Sequence, residues 1–167
     1  AIILTSSQIF TASIRYFYFL KACCINVKLS DCIRAVLTAY SLNSLLPGKT
    51  GDLVKATVLT DNKKALIKYS GVTFIEKICD LCVLSFITLI GALLIFSKFW
   101  LISSMLSIVI FVLIILSLNH IHNLPIIGVK LNVLSTLIPA LRKNIKYLLI
   151  GLSFSSLLWV FNLIIAY

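Results

Sequence analysis

Two short groups of residues in this sequence could do chemistry. The first is Pro47-Gly48-Lys49-Thr50-Gly51-Asp52-Leu53-Val54-Lys55, a Pro/Gly break with charges packed behind the apolar stretch that ends Leu45-Leu46. The second is Glu76-Lys77-Ile78-Cys79-Asp80, in the first turns of a long apolar run. A proline disfavours helical geometry in the residue before it, so a helix reaching Leu46 ends there. Gly48 and Gly51 allow a tight reversal. A helix restarting beyond the break turns free N–H groups and partial positive charge toward it. With Lys49 in the turn and Lys55 at i+3 from Asp52, this arrangement could hold a phosphate. Asn43, four residues before Pro47, can donate and accept at the tip of the first helix. Glu76 and Asp80 are spaced i,i+4 and share one helix face. Carboxylates in apolar surroundings are costly unless paired or hydrated. Lys55 or Lys49 is their expected partner, and Lys77, adjacent in sequence, is expected to face elsewhere. Two roles stay open for Glu76 and Asp80: they serve a ligand, or they brace the Pro/Gly turn through structural ion pairs.

Composition says where such chemistry would take place. The chain has 167 residues, of which 60% are hydrophobic and 12% charged, with a mean hydropathy of +1.10. Soluble domains are about a quarter charged, and a chain of this size cannot hide so much apolar surface inside a globule. The class is an integral membrane protein, all-α. The net charge of +10 comes from 15 Lys and Arg against 5 Asp and Glu. These bases sit between apolar runs, where they anchor cytoplasmic loops and meet anionic lipid headgroups; nucleic acid is not expected as a partner. Cys79-x-x-Cys82 has metal or redox spacing but lacks a second ligand pair. Together with Cys23, Cys24 and Cys32 it reads as small packing residues. His120 and His122 lie at the end of a span with no acid or cysteine partner nearby. We identify no catalytic set, no metal site and no cofactor.

The elements that must position the two groups follow from segment lengths. Spans are expected at about 1–20, 71–96, 99–118 and 148–167. About 20 residues at 1.5 Å rise cross the ~30 Å hydrocarbon core. Arg15, near the end of the first span, is expected to snorkel to the interface beside Lys21. The helix from about Cys32 to Leu46 would be only ~23 Å long, too short to cross, so residues 31–59 are expected to form a re-entrant hairpin. Val129 to Leu141 could form an amphipathic surface helix. The basic loops Lys21–Ser70 and Asn119–Tyr147 then fall on one side, which the positive-inside rule makes cytoplasmic. Residues 1–167 read as a single domain, expected to be a fragment of a longer multi-pass protein of the cell membrane.

The pattern Pro47-Gly48-x-x-Gly51-Asp52-x-x-Lys55, followed by Glu76-Lys77-x-x-Asp80, resembles the lysylphosphatidylglycerol synthase transmembrane family, also called flippase-like proteins. That family shows arginine where Lys55 and Lys77 stand here. Charge is kept, but the bidentate fork is lost. The resemblance implies a bundle of transmembrane helices with re-entrant segments that moves a phospholipid, anionic or aminoacylated, between leaflets. Taken with the residue reading above, the candidates for lipid or anion binding are Asn43, Pro47, Gly48, Lys49, Gly51, Asp52 and Lys55, and Glu76 and Asp80 form the expected cavity acidic pair. Some relatives carry an aminoacyl-transferase domain, and no such module is present in these residues. The alternative is an accessory domain that binds a lipid or polyprenyl phosphate for a lipid-modifying or glycosyltransferase system. The partners are phospholipid and membrane, with a homo-oligomer left open. For topology, a cysteine substituted at Asn62 or Asn123 in a cysteine-less background should react with an impermeant thiol reagent only from the cytoplasmic side. Labelling of the two positions from opposite sides would overturn the arrangement.

Overall fold

A computed structural model describes residues 2–45, 51–52, 54–95, 102, 105, 109 and 137–166. All regular structure among them is helical. Helix α1 spans Ile2–Ala22, α2 Leu29–Leu45, α3 Val54–Leu59, α4 Lys63–Ile95 and α5 Ile145–Ala166. Residues 137–143 are also helical and lead into α5 through a turn at Asn144.

Helix α1 packs most extensively on α5 and next on α2; α3 bridges α2 and α4, and α4 touches both α1 and α5. The core lies where α1, α2 and α4 meet. Tyr16, Phe19 and Leu20 pack there with Cys32 and Val36 of α2 and Val72 of α4. The outward faces are apolar too. Phe74, Leu81, Phe86 and Ile90 of α4 are exposed, as are Leu149, Val160 and Ile164 of α5. Helices that are apolar on the inside and the outside alike belong in lipid. Among the described residues, Ile145–Ile165 is long and apolar enough to cross a membrane by its own composition. Helix α1 is comparable in length, but it carries Arg15, Lys21 and a run of Ser, Thr and Gln. Helix α4 begins at Lys63, well before the apolar run at Gly71, because Lys63-Lys64-Ala65-Leu66 are good helix formers and no breaker separates them from it. At 33 residues it is about 50 Å long, more than a hydrocarbon core requires.

The end of α1 is tied to the start of α5. The Ile25 N–H donates to the Leu20 carbonyl at 2.9 Å and the Cys24 N–H to the Lys21 carbonyl at 3.1 Å, a Schellman closure of the helix. Cys24 takes the left-handed position of that closure, with φ of 58°. The Asn144 side-chain amide then donates to the Ala22 carbonyl at 3.3 Å and contacts Cys24 Sγ at 3.0 Å. Tyr18 stacks on Tyr147 and Phe154, and the Lys21 ammonium lies 4.8 Å from the centre of the Tyr147 ring. Lys21 and Tyr18 therefore mark this boundary. All five cysteines are free, and burial pushes the Cys23 thiol up to about 12, which makes it an unreactive packing group.

At Gly151 α5 lies close against Phe19 of α1. A Cβ at this position would lie 3.3 Å from two carbons of the Phe19 ring. Gly151→Leu should therefore wedge the two helices apart, costing about 1–3 kcal/mol. Denaturant or thermal unfolding of the purified protein in detergent measures this; an unchanged midpoint would show that the α1–α5 contact is looser than described.

Candidate functional site

The site forms where three helices and one turn bring charged side chains together. Helix α1 contributes Arg15, and the turn before α3 contributes Gly51 and Asp52. Lys55 stands in the first turn of α3, and α4 supplies Glu76, Lys77 and Asp80. Glu76 is fully buried, and Arg15, Asp52 and Lys55 are nearly so. Arg15 bonds Glu76 through Nη2 and Asp80 through Nη1, the latter at 2.6 Å. Lys55 Nζ lies 3.3 Å from Asp52 and 3.3 Å from Glu76. It also sits over the Tyr16 ring, 5.2 Å from its centre, an arrangement that further offsets the loss of hydration. Tyr16 in turn meets Thr73 of α4 through its hydroxyl, 3.4 Å away. Lys77 pairs with Asp52. In the order Lys77, Asp52, Lys55, Glu76, Arg15, Asp80, every neighbour has the opposite sign.

The turn is held against α2 by close contact. A Cβ on Gly51 would lie 2.6 Å from the Ala39 carbonyl oxygen and 2.8 Å from Asn43 Oδ1, so only glycine fits. This contact, between residues 8–12 apart in sequence, shows that the chain has reversed on α2. Asn43 donates to Asp52 at 3.4 Å, while its buried Oδ1 has no hydrogen-bond partner among the described residues. Burial pushes the Asp52 carboxyl up, but Lys55 and Lys77 outweigh it and hold this carboxyl below its ordinary range.

A cavity of about 540 Å³ opens beside this network. Arg15, Asp52, Lys55, Lys77 and Asp80 form its charged wall, and Leu158, Trp159 and Leu163 of α5 form an apolar one. Gln8 and Asn162, joined by a 2.6 Å hydrogen bond, also line it. The arrangement can accommodate an amphipathic molecule, with a polar end at the charges and an apolar portion along α5.

Two expectations need correction. Arg15 does not snorkel beside Lys21. It is a buried partner of both α4 carboxylates, because it lies seven residues before the end of α1, ~10 Å below the interface, and faces α4. An ionisable residue that deep in an apolar helix is itself a signal of a polar site. Lys77 does not face elsewhere: Asp52 draws it to the same cavity. Asn43, Gly51, Asp52, Lys55, Glu76 and Asp80 are brought together, with Lys55 on Glu76. Pro47, Gly48 and Lys49 lie outside the described residues, as do His120 and His122. Helix α3 has six residues, and a carboxylate, Asp52, stands two residues before its first residue.

An all-helical fold with apolar outer faces and a buried charge network defines an integral membrane domain. The model of the lysylphosphatidylglycerol synthase TM region family matches residues 1–167, the whole chain, and the chain belongs to that family. No curated protein and no solved structure matches it.

Removing one member of a buried ion network strands the others. Arg15→Met should destabilise the protein by about 3–5 kcal/mol, because Glu76 and Asp80 lose a shared partner. Arg15→Lys should cost less, since one charge remains although the two-armed geometry is lost. Unfolding midpoints of the two variants in detergent test this. Equal, small shifts would mean that the carboxylates find other partners.

Proposed function

We propose that the chain moves a phospholipid, anionic or aminoacylated, between membrane leaflets, holding its headgroup in the cavity formed by Arg15, Asp52, Lys55, Lys77 and Asp80. The observation that carries this reading is the cavity itself, charged on one side and apolar along α5. Membership of a family described by a phospholipid synthase supports a lipid as the occupant. In this reading residues 31–59 are a re-entrant hairpin, since α2 is about 26 Å long and α3 about 9 Å. Irregular backbone at membrane depth is tolerated where protein buries it or where it lines a wet cavity, and Gly51–Asp52 does both. Buried ion pairs that can exchange one partner for another give a headgroup a route past the hairpin without stranding a charge in hydrocarbon. The basic loops face the cytoplasm of the cell membrane.

The test is exposure of aminoacylated phospholipid at the outer leaflet of cells, read with an impermeant amine reagent. Asp52→Asn and Glu76→Gln should each lower exposure several-fold at matched protein level, while Ser153→Ala on the exposed face of α5 should not. Unchanged exposure in both site variants would remove the transport role.

A further inference from the structure

We infer that the cavity selects a headgroup carrying both a phosphate and a primary ammonium on a short linker, with the phosphate at Lys77 and the ammonium at Asp80. The inference rests on the cavity being the lipid site proposed above. It follows from how the ion pairs are connected. Among the described residues the network holds three cations and three carboxylates, so it is neutral as a whole. Each of its four inner members, Asp52, Lys55, Glu76 and Arg15, touches two groups of opposite charge. The terminal members, Lys77 and Asp80, touch one each.

Both ends line the cavity, and both stand on α4. Residues three apart on a helix are neighbours, with Cβ atoms about 5–6 Å apart, which a phosphate and an ammonium separated by two or three carbons can bridge. The Lys77 side chain is 41% exposed and that of Asp80 15%, whereas that of Glu76 in the middle of the chain is 0%. The ends are thus the reachable members. A purely anionic head would bring a negative charge to a balanced set and face Asp80 across a space of low dielectric, where repulsion is strong. A dipolar head caps both ends and leaves the sum at zero. The Trp159 wall is left for the acyl portion.

Trp159 provides the readout. The chain contains two tryptophans, so Trp100→Phe makes Trp159 the single reporter. This protein, in detergent, is titrated with phosphatidylethanolamine, phosphatidylglycerol or phosphatidylcholine bearing dibrominated acyl chains, which quench indole on contact. Phosphatidylethanolamine should reach half-maximal quenching at a mole fraction at least tenfold below the other two. Asp80→Asn should bring it to the level of phosphatidylglycerol; should that variant fail to fold, the order of the three lipids on the unaltered site decides. Phosphatidylglycerol binding as well as or better than phosphatidylethanolamine would overturn the dipolar site and leave the lipid reading standing. Equal binding of phosphatidylcholine, whose ammonium has no N–H to donate, would overturn the assignment to Asp80. No saturable quenching by any of the three, nor by lysyl-phosphatidylglycerol bearing the same chains, would overturn the lipid reading as well.

Discussion

Glu76 is fully enclosed in an apolar bundle, where Lys55 and Arg15 hold its carboxyl group from two sides. The rest of the structure depends on this constraint. Moving a carboxylate out of water costs several kcal/mol even after relaxation, so the fold must deliver two cations to one point from separate elements. One comes from α1, 61 residues away, and the other from α3, 21 residues away. The packing of α1 against α5 and the reversal at Gly51 place those two cations. The buried charges therefore act as a registry device: a helix rotated or shifted by one turn would leave a charge stranded in hydrocarbon.

The same constraint joins bracing to the charged wall of the cavity. A network whose members all neutralise one another holds the Gly51–Asp52 turn against α4, and its two ends face a cavity. Bracing and exposure to the cavity are properties of different members: Glu76, Lys55 and Arg15 hold α1, α3 and α4 together, while Lys77 and Asp80 present charge to the space beside them. Replacing arginine by lysine at positions 55 and 77, relative to the family pattern, suits this division. At Lys55 a compact ammonium fits between two carboxylates and over the Tyr16 ring. At Lys77 a flexible stem carries a point charge to Asp52 at the edge of the cavity.

The membrane class, the all-helical fold and the family were legible in the residues before any coordinates. They follow from apolar content, from segment lengths against bilayer thickness, and from the Pro-Gly-x-x-Gly-Asp and Glu-Lys-x-x-Asp patterns. So were most members of the site, because intramembrane charges are few and each demands a reason. Local spacing could place Asp52 with Lys55 and Glu76 with Asp80. It misjudged Arg15 and Lys77, since sequence spacing does not say which side of a helix faces a neighbour and which faces lipid when both sides are apolar.

What the sequence by itself determined is that charges must pair in an apolar setting and that glycine must occupy the turn where the backbones meet. Only the tertiary structure decided the pairing, because the partner of a buried charge is set by which helices touch. The Pro/Gly stretch thus becomes something narrower than an anion cradle. In the described part of it, Gly51 seats the turn on α2, and Asp52 and Lys55 are inner links of an alternating chain whose ends, on α4, meet the cavity.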